Sequence, residues 1–103
     1  MSWVPACQVD DVDEEDVIPF SHAGKAYAVY RTEGDEFYAT AGLCTHEQVE
    51  IADGLVMGCV IECPRHNGRF DFRTGRPLGA PVVEPLLTYP TKVEDDTVFV
   101  DVG

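Results

Sequence analysis

A small all-β domain is what this sequence predicts, and three observations carry the prediction. Apolar residues nowhere recur at helical spacing over a useful length. Short β-type runs alternate instead with turn residues. The 103 residues suffice for one domain, 1–103, with one core. Many short strands with frequent turns indicate a sandwich or barrel-like architecture.

The elements follow in order. MSWVPACQVD at the start has neither a basic n-region nor a long apolar run, so no signal peptide is expected. DDVDEED (10–16) reads as a solvated acidic loop. His22, in SHAGK, reads as a turn residue. KAYAVYRT (25–32) alternates, EGDE turns, and EFYAT (36–40) returns, which predicts a hairpin. CTHEQVEIADG (44–54) has room for one short helical turn. VMGCVIEC (56–63) and RFDF (69–72) flank CPRH (63–66), so that loop joins two strands. PLLTYPTKVE (85–94) and TVFVDVG (97–103) make a last hairpin across Asp95 and Asp96. Trp3, Tyr27, Tyr30, Tyr38 and Tyr89 fall in strand-like runs and read as packing residues.

Charge and cysteines narrow the function. A net charge of −12 argues against nucleic acid, whose phosphates would repel this surface. It suits a soluble protein that docks briefly on a basic patch. No stretch reaches the length of a membrane span, so the expected compartment is the cytoplasm. There, four cysteines point to metal or redox chemistry before disulfides. Flavin or nicotinamide binding lacks a Gly-rich fingerprint.

The chemistry lies in two short stretches, Cys44-x-His46 and Cys63-x-x-His66. Each offers one thiolate and one imidazole. A Cys2His2 zinc site would use the same four side chains on one tetrahedral ion. Zinc fingers, however, pair Cys with Cys and His with His along the chain. A two-iron cluster accounts better for mixed pairs, with both thiolates on one iron and both imidazoles on the other. Cys7 and Cys59 fall outside the pattern and read as small buried thiols.

CTHEQVEIADG and CPRHNGRFDFRTG, with GAP after them, resemble the Rieske-type [2Fe–2S] proteins. More narrowly, the chain resembles the small soluble Rieske ferredoxins of bacterial aromatic-ring-hydroxylating oxygenase systems, over nearly its whole length. The resemblance implies a Rieske-type fold of stacked antiparallel sheets, with a cluster-binding subdomain made of two loops. It implies one [2Fe–2S] cluster, with Cys44 and Cys63 on the inner iron and His46 and His66 on the outer. Gly79, Ala80 and Pro81 match the family's loop that covers the cluster; a proline there stiffens the cover.

High-potential respiratory relatives carry an extra cysteine in each loop, where this chain has Val49 and Arg65. They also carry a serine and a tyrosine that hydrogen-bond to sulfur, where this chain has Gly68 and Phe70. Fewer donors to sulfur imply a low potential. Glu47 stands where many relatives have glycine; it reads as a tolerated loop residue, the alternative being that Glu47 and Arg65 tune the charge of the docking tip.

The expected role is a one-electron carrier, not an enzyme. It would take electrons from an NAD(P)H-dependent flavin reductase and deliver them to the Rieske centre of a terminal oxygenase, docking transiently near His46 and His66 as a monomer. A mononuclear iron site would need two more histidines, and only His22 is left over. The alternative is a small Rieske subunit of another redox enzyme, such as a nitrite reductase. A zinc-stabilised module without redox function is the third reading.

Overall fold

The computed structural model describes every residue except His46, Glu47, His66, Ala80, Pro81 and Val83. The described strands are β1 (Trp3–Gln8), β2 (Asp16–His22), β3 (Lys25–Arg31), β4 (Phe37–Ala41), β5 (Leu55–Met57), β6 (Val60–Glu62), β7 (Arg69–Asp71), β8 (Arg76–Pro77), β9 (Thr88–Tyr89), β10 (Thr91–Glu94) and β11 (Thr97–Asp101). Single 3-10 turns lie at Val9–Asp11 and Ile51–Asp53. No helix among the described residues is long and apolar enough to cross a membrane.

Three antiparallel sheets result, in the orders β1-β11-β10, β2-β3-β4-β9 and β5-β6-β7-β8. The all-β expectation holds, and the hairpins across Glu33–Glu36 and across Asp95 and Asp96 form as read. The helical turn expected within 44–54 is the Ile51–Asp53 turn.

Two expected strands divide. The apolar run 56–63 is broken at Gly58, which takes φ +61, and becomes β5 and β6. The run 85–94 is broken at Pro90: β9 pairs with β4, and β10 pairs with β11 in another sheet. A proline cannot donate to a ladder, so a change of sheet there costs no hydrogen bond.

The acidic run is anchored rather than simply solvated. Val12 at its centre is fully buried, while its carboxylates face out. Arg31 ties it down by donating to the Val9 and Val12 carbonyls and to Asp35. His22 ends β2 opposite Lys25, beside the Ala23–Gly24 turn.

Strand alternation divides the core in two. On β3, Ala28 and Tyr30 face one apolar cluster with Ile51, Ile61, Phe70 and Phe72; Val29 faces another with Val12, Ala39, Val98 and Val100. Tyr30 stacks on Phe72 with centroids 4.3 Å apart. Its hydroxyl donates to Thr40 Oγ1 at 2.8 Å, and Thr40 donates onward to the Ala41 carbonyl. That satisfies a buried hydroxyl pair. Tyr27 and Tyr30 are buried, and Tyr38 and Tyr89 half-buried, as their strand positions indicate.

Candidate metal centre

Two connections carry the cysteines. The first leaves β4 through Gly42 and reaches β5 at Leu55; the second joins β6 to β7. Gly42 lets the first connection lie directly on β3: a Cβ there would come within 2.7 Å of the Ala26 and Tyr27 backbone.

The two loops close in the same way. The Cys44 N–H donates to the Val49 carbonyl at 2.8 Å, and the Cys63 N–H donates to the Gly68 carbonyl at 2.6 Å. Each clamp therefore spans from the cysteine to the residue five positions on. In each loop the residue before the acceptor is left-handed: Gln48 at φ 56 and Asn67 at φ 56. Sequence reading missed this shared turn. Asn67 before Gly68 was its only local signal, since Asn tolerates that conformation and Gln does so poorly.

Cys44 and Cys63 are 0 % and 1 % exposed and belong to the same apolar cluster, beside Phe70, Phe72 and Val82. His46 and His66 lie outside the described residues, so the structure brings together the two thiols of the expected set. Two buried thiols, each at the start of a loop closed by the same backbone hydrogen bond, fit an iron-bearing group. Cysteine sulfur is the donor type that holds iron in such clusters.

Described residues of the segment 78–87 touch both loops. Thr45 Oγ1 donates to the Glu84 carbonyl at 3.0 Å, which ties Glu84 to the first loop. Gly68 packs on Val82 so closely that a Cβ would lie 2.5 Å from Val82 Cγ1, which sets Val82 against the second loop. Of the expected cover residues, Gly79 is exposed, has φ +143 and bridges to Val82. Ala80 and Pro81 lie outside the described residues.

Phe70 is fully buried, and neither it nor Gly68 offers a hydroxyl to a neighbouring sulfur. The other thiols are less enclosed than expected: Cys7 and Cys59 are half-buried, because each sits on a strand or turn margin. Partial burial and nearby Asp11 push the Cys7 thiol up to about 11, so it stays protonated.

The Rieske [2Fe–2S] domain family matches residues 2–90. The chain belongs to the Rieske [2Fe–2S] family. A Rieske domain carries a two-iron cluster, which excludes the zinc-module reading. The chain is 44% identical over 103 residues to the ferredoxin component of a naphthalene 1,2-dioxygenase system from Pseudomonas putida, covering 100% of this chain and 98% of that protein.

Among solved structures, the Sphingomonas yanoikuyae B1 ferredoxin matches with a TM-score of 0.92 and 36% identity, over 99% of this chain and 100% of that one. A chain in the complex of reduced oxygenase and oxidized ferredoxin of carbazole 1,9a-dioxygenase matches at 0.88 and 35%, over 95% and 91%. A nitrite reductase small subunit from Mycobacterium tuberculosis, at 19% identity, shares the fold alone. This Rieske protein thus falls with the ferredoxin components, which are electron carriers and not catalytic subunits.

Proposed function

We propose that this Rieske protein shuttles single electrons in the cytoplasm from an NAD(P)H-dependent flavin reductase to the Rieske centre of a ring-hydroxylating terminal oxygenase. It acts as a monomer and as one domain, 1–103. Cys44 and Cys63 hold one iron, and His46 and His66 hold the other. Gly79, Ala80 and Pro81 shield the site, and partners dock transiently near His46 and His66.

The observation that carries the reading is the pair of equally clamped loops, each delivering one buried cysteine to one apolar cluster. The cluster supplies a one-electron couple when bound. The chain supplies rigidity. Backbone hydrogen bonds at the two cysteines, with Thr45 on Glu84 and Gly68 on Val82, hold Cys44 and Cys63 in place, which keeps reorganisation small. The missing hydroxyls at Gly68 and Phe70 favour the low end of the Rieske range, roughly −150 mV.

Support for the partners comes from the carbazole complex, where a 35% identical ferredoxin sits with its oxygenase. The nitrite reductase alternative is supported by fold likeness only.

EPR before and after dithionite tests the proposal. A signal that appears only on reduction, with the low average g of mixed His and Cys ligation, is expected. It should vanish in His66→Ala and in His46→Ala. An unchanged spectrum in either variant would overturn the ligand assignment.

A further inference from the structure

The second cysteine loop carries a further kind of chemistry. Asn67 is the chain's single asparagine, and glycine follows it. The side-chain amide of an asparagine is open to attack by the main-chain nitrogen of the next residue. Glycine, lacking a Cβ, leaves that nitrogen unshielded and its backbone free to turn.

The structure leaves both reacting groups available. Asn67 is exposed and borders a cleft with Arg69, Leu78 and Gly79, so water reaches it. Among the described residues nothing hydrogen-bonds to its side chain or to the Gly68 N–H. Gly68 is buried, but the carbon it would attack belongs to its own neighbour, so burial does not stand between them.

Two comparisons within the chain sharpen the assignment. Asp53 is the only aspartate followed by glycine, and it can close the same ring. There the Gly54 N–H donates to the Ile51 carbonyl at 2.9 Å and Gly54 packs on the Glu62 carbonyl, so the nitrogen is occupied and held. Gln48 matches Asn67 in conformation, at φ 56 in the first loop. Its side chain is longer and β-branched Val49 follows, so both the ring and the approach are less favourable.

One restraint acts on Asn67. Rotation that brings the nitrogen onto the side-chain carbon must carry Gly68 with it. The 2.6 Å bond from the Cys63 N–H to the Gly68 carbonyl opposes that rotation, and so does the packing of Gly68 on Val82.

We propose that Asn67–Gly68 is a self-modification site that the closed second loop holds in check. When the loop opens, the Gly68 nitrogen bonds to the Asn67 Cγ and the Cγ–Nδ2 bond breaks. Ammonia leaves with the proton that the Gly68 nitrogen gives up. Water then opens the cyclic imide at either carbonyl. One product is an aspartyl residue, and the other is isoaspartyl, with the chain running through the former side-chain carbon. Each gains a carboxylate. The isoaspartyl form also lengthens the backbone between Cys63 and its acceptor, so the clamp no longer closes. On the proposed ligand set, Cys63 and His66 of this loop both hold iron, and bound iron keeps the loop shut. A loaded chain is spared, and a chain without iron ages out of use.

The experiment incubates the iron-loaded protein and the full-length apoprotein side by side in mildly alkaline buffer. Peptide mapping follows the mass change from NH2 to OH at Asn67, and isoelectric focusing follows the added negative charge. Conversion should run about tenfold faster in the apoprotein. In the loaded protein Val82→Ala, which removes the packing over Gly68, should speed it about threefold. Asn67→Gln should stop it, and Asp53 should form no isoaspartate in the same samples. No conversion at Asn67 in the apoprotein, or isoaspartate arising first at Asp53, overturns the proposal. A rate unmoved by Val82→Ala overturns the restraint. Equal rates with and without iron, given a normal Rieske EPR signal, overturn protection by the metal. Absence of any Rieske signal would sink the ligand reading instead and leave the apoprotein rate to decide the modification.

Discussion

Replacing Gln48 with glycine should stabilise the protein. Gln48 sits at φ 56 in the first cysteine loop, where its Cβ crowds the backbone. A left-handed conformation costs an ordinary residue about 1–2 kcal/mol. Glycine removes that cost but adds about 0.4–1 kcal/mol of unfolded-state freedom. The net gain is about 0.5–1 kcal/mol, or roughly 3–6 °C in Tm for a domain of this size. The loop's closing bonds, from the Cys44 N–H to Val49 and from the Gln48 N–H to Cys44, involve backbone only and survive the change.

Two controls isolate the backbone effect. Gln48→Ala keeps the Cβ and should stay near wild type. Asn67→Gly alters the equivalent residue of the second loop, where asparagine already tolerates φ 56, and should gain nothing. The assay is thermal loss of the visible cluster absorption at one fixed scan rate, with urea midpoints alongside. If Gln48→Gly is no more stable than Gln48→Ala, strain in this loop is not what the geometry implies.

Other changes test the remaining contacts. Gly68→Ala puts a methyl 2.5 Å from Val82 Cγ1 and should cost about 1–3 kcal/mol in the urea midpoint; adding Val82→Ala should recover much of it. Thr40→Val strands the buried Tyr30 hydroxyl and should cost about 1–3 kcal/mol. Tyr30→Phe should cost only about 1 kcal/mol, because Thr40 keeps its bond to Ala41. Cys7 titrates at about 11 when folded, above the ordinary thiol value. Its stabilising contribution is therefore full below about pH 8.5 and falls as pH rises toward 11. Urea midpoints at pH 8 and 10.5 should converge more in Cys7→Ser than in wild type.

The two cysteines that the fold buries in one cluster were legible because ligand chemistry demands particular residue types at short spacing. Cys44 and Cys63 announce themselves through the histidines beside them, and the turns at 33–36 and 95–96 through their Gly and Asp residues. What was hidden depends on contacts between distant segments. The break at Gly58 lies where no charged residue stands between Val56 and Ile61, so polar alternation did not mark it. The change of sheet at Pro90 depends on which neighbour each half finds. Val82 reaching Gly68, and Thr45 reaching Glu84, join segments 14 and 39 positions apart. Half-burial of Cys7 and Cys59 likewise follows from their margins, not from their residue type.

The division of the core along β3 bears on how the protein matures. One apolar cluster contains Cys44 and Cys63; the other, around Val12, Val29, Ala39, Val98 and Val100, contains neither. On the proposed ligand set, loss of iron removes support from one face of β3 and leaves the opposite face packed. Amides of β1, β10 and β11 should therefore stay slow to exchange in the apoprotein while those of β5 to β8 quicken. The expected order is iron entering a half-organised protein, with the β1-β11-β10 side as the scaffold on which the loops are set.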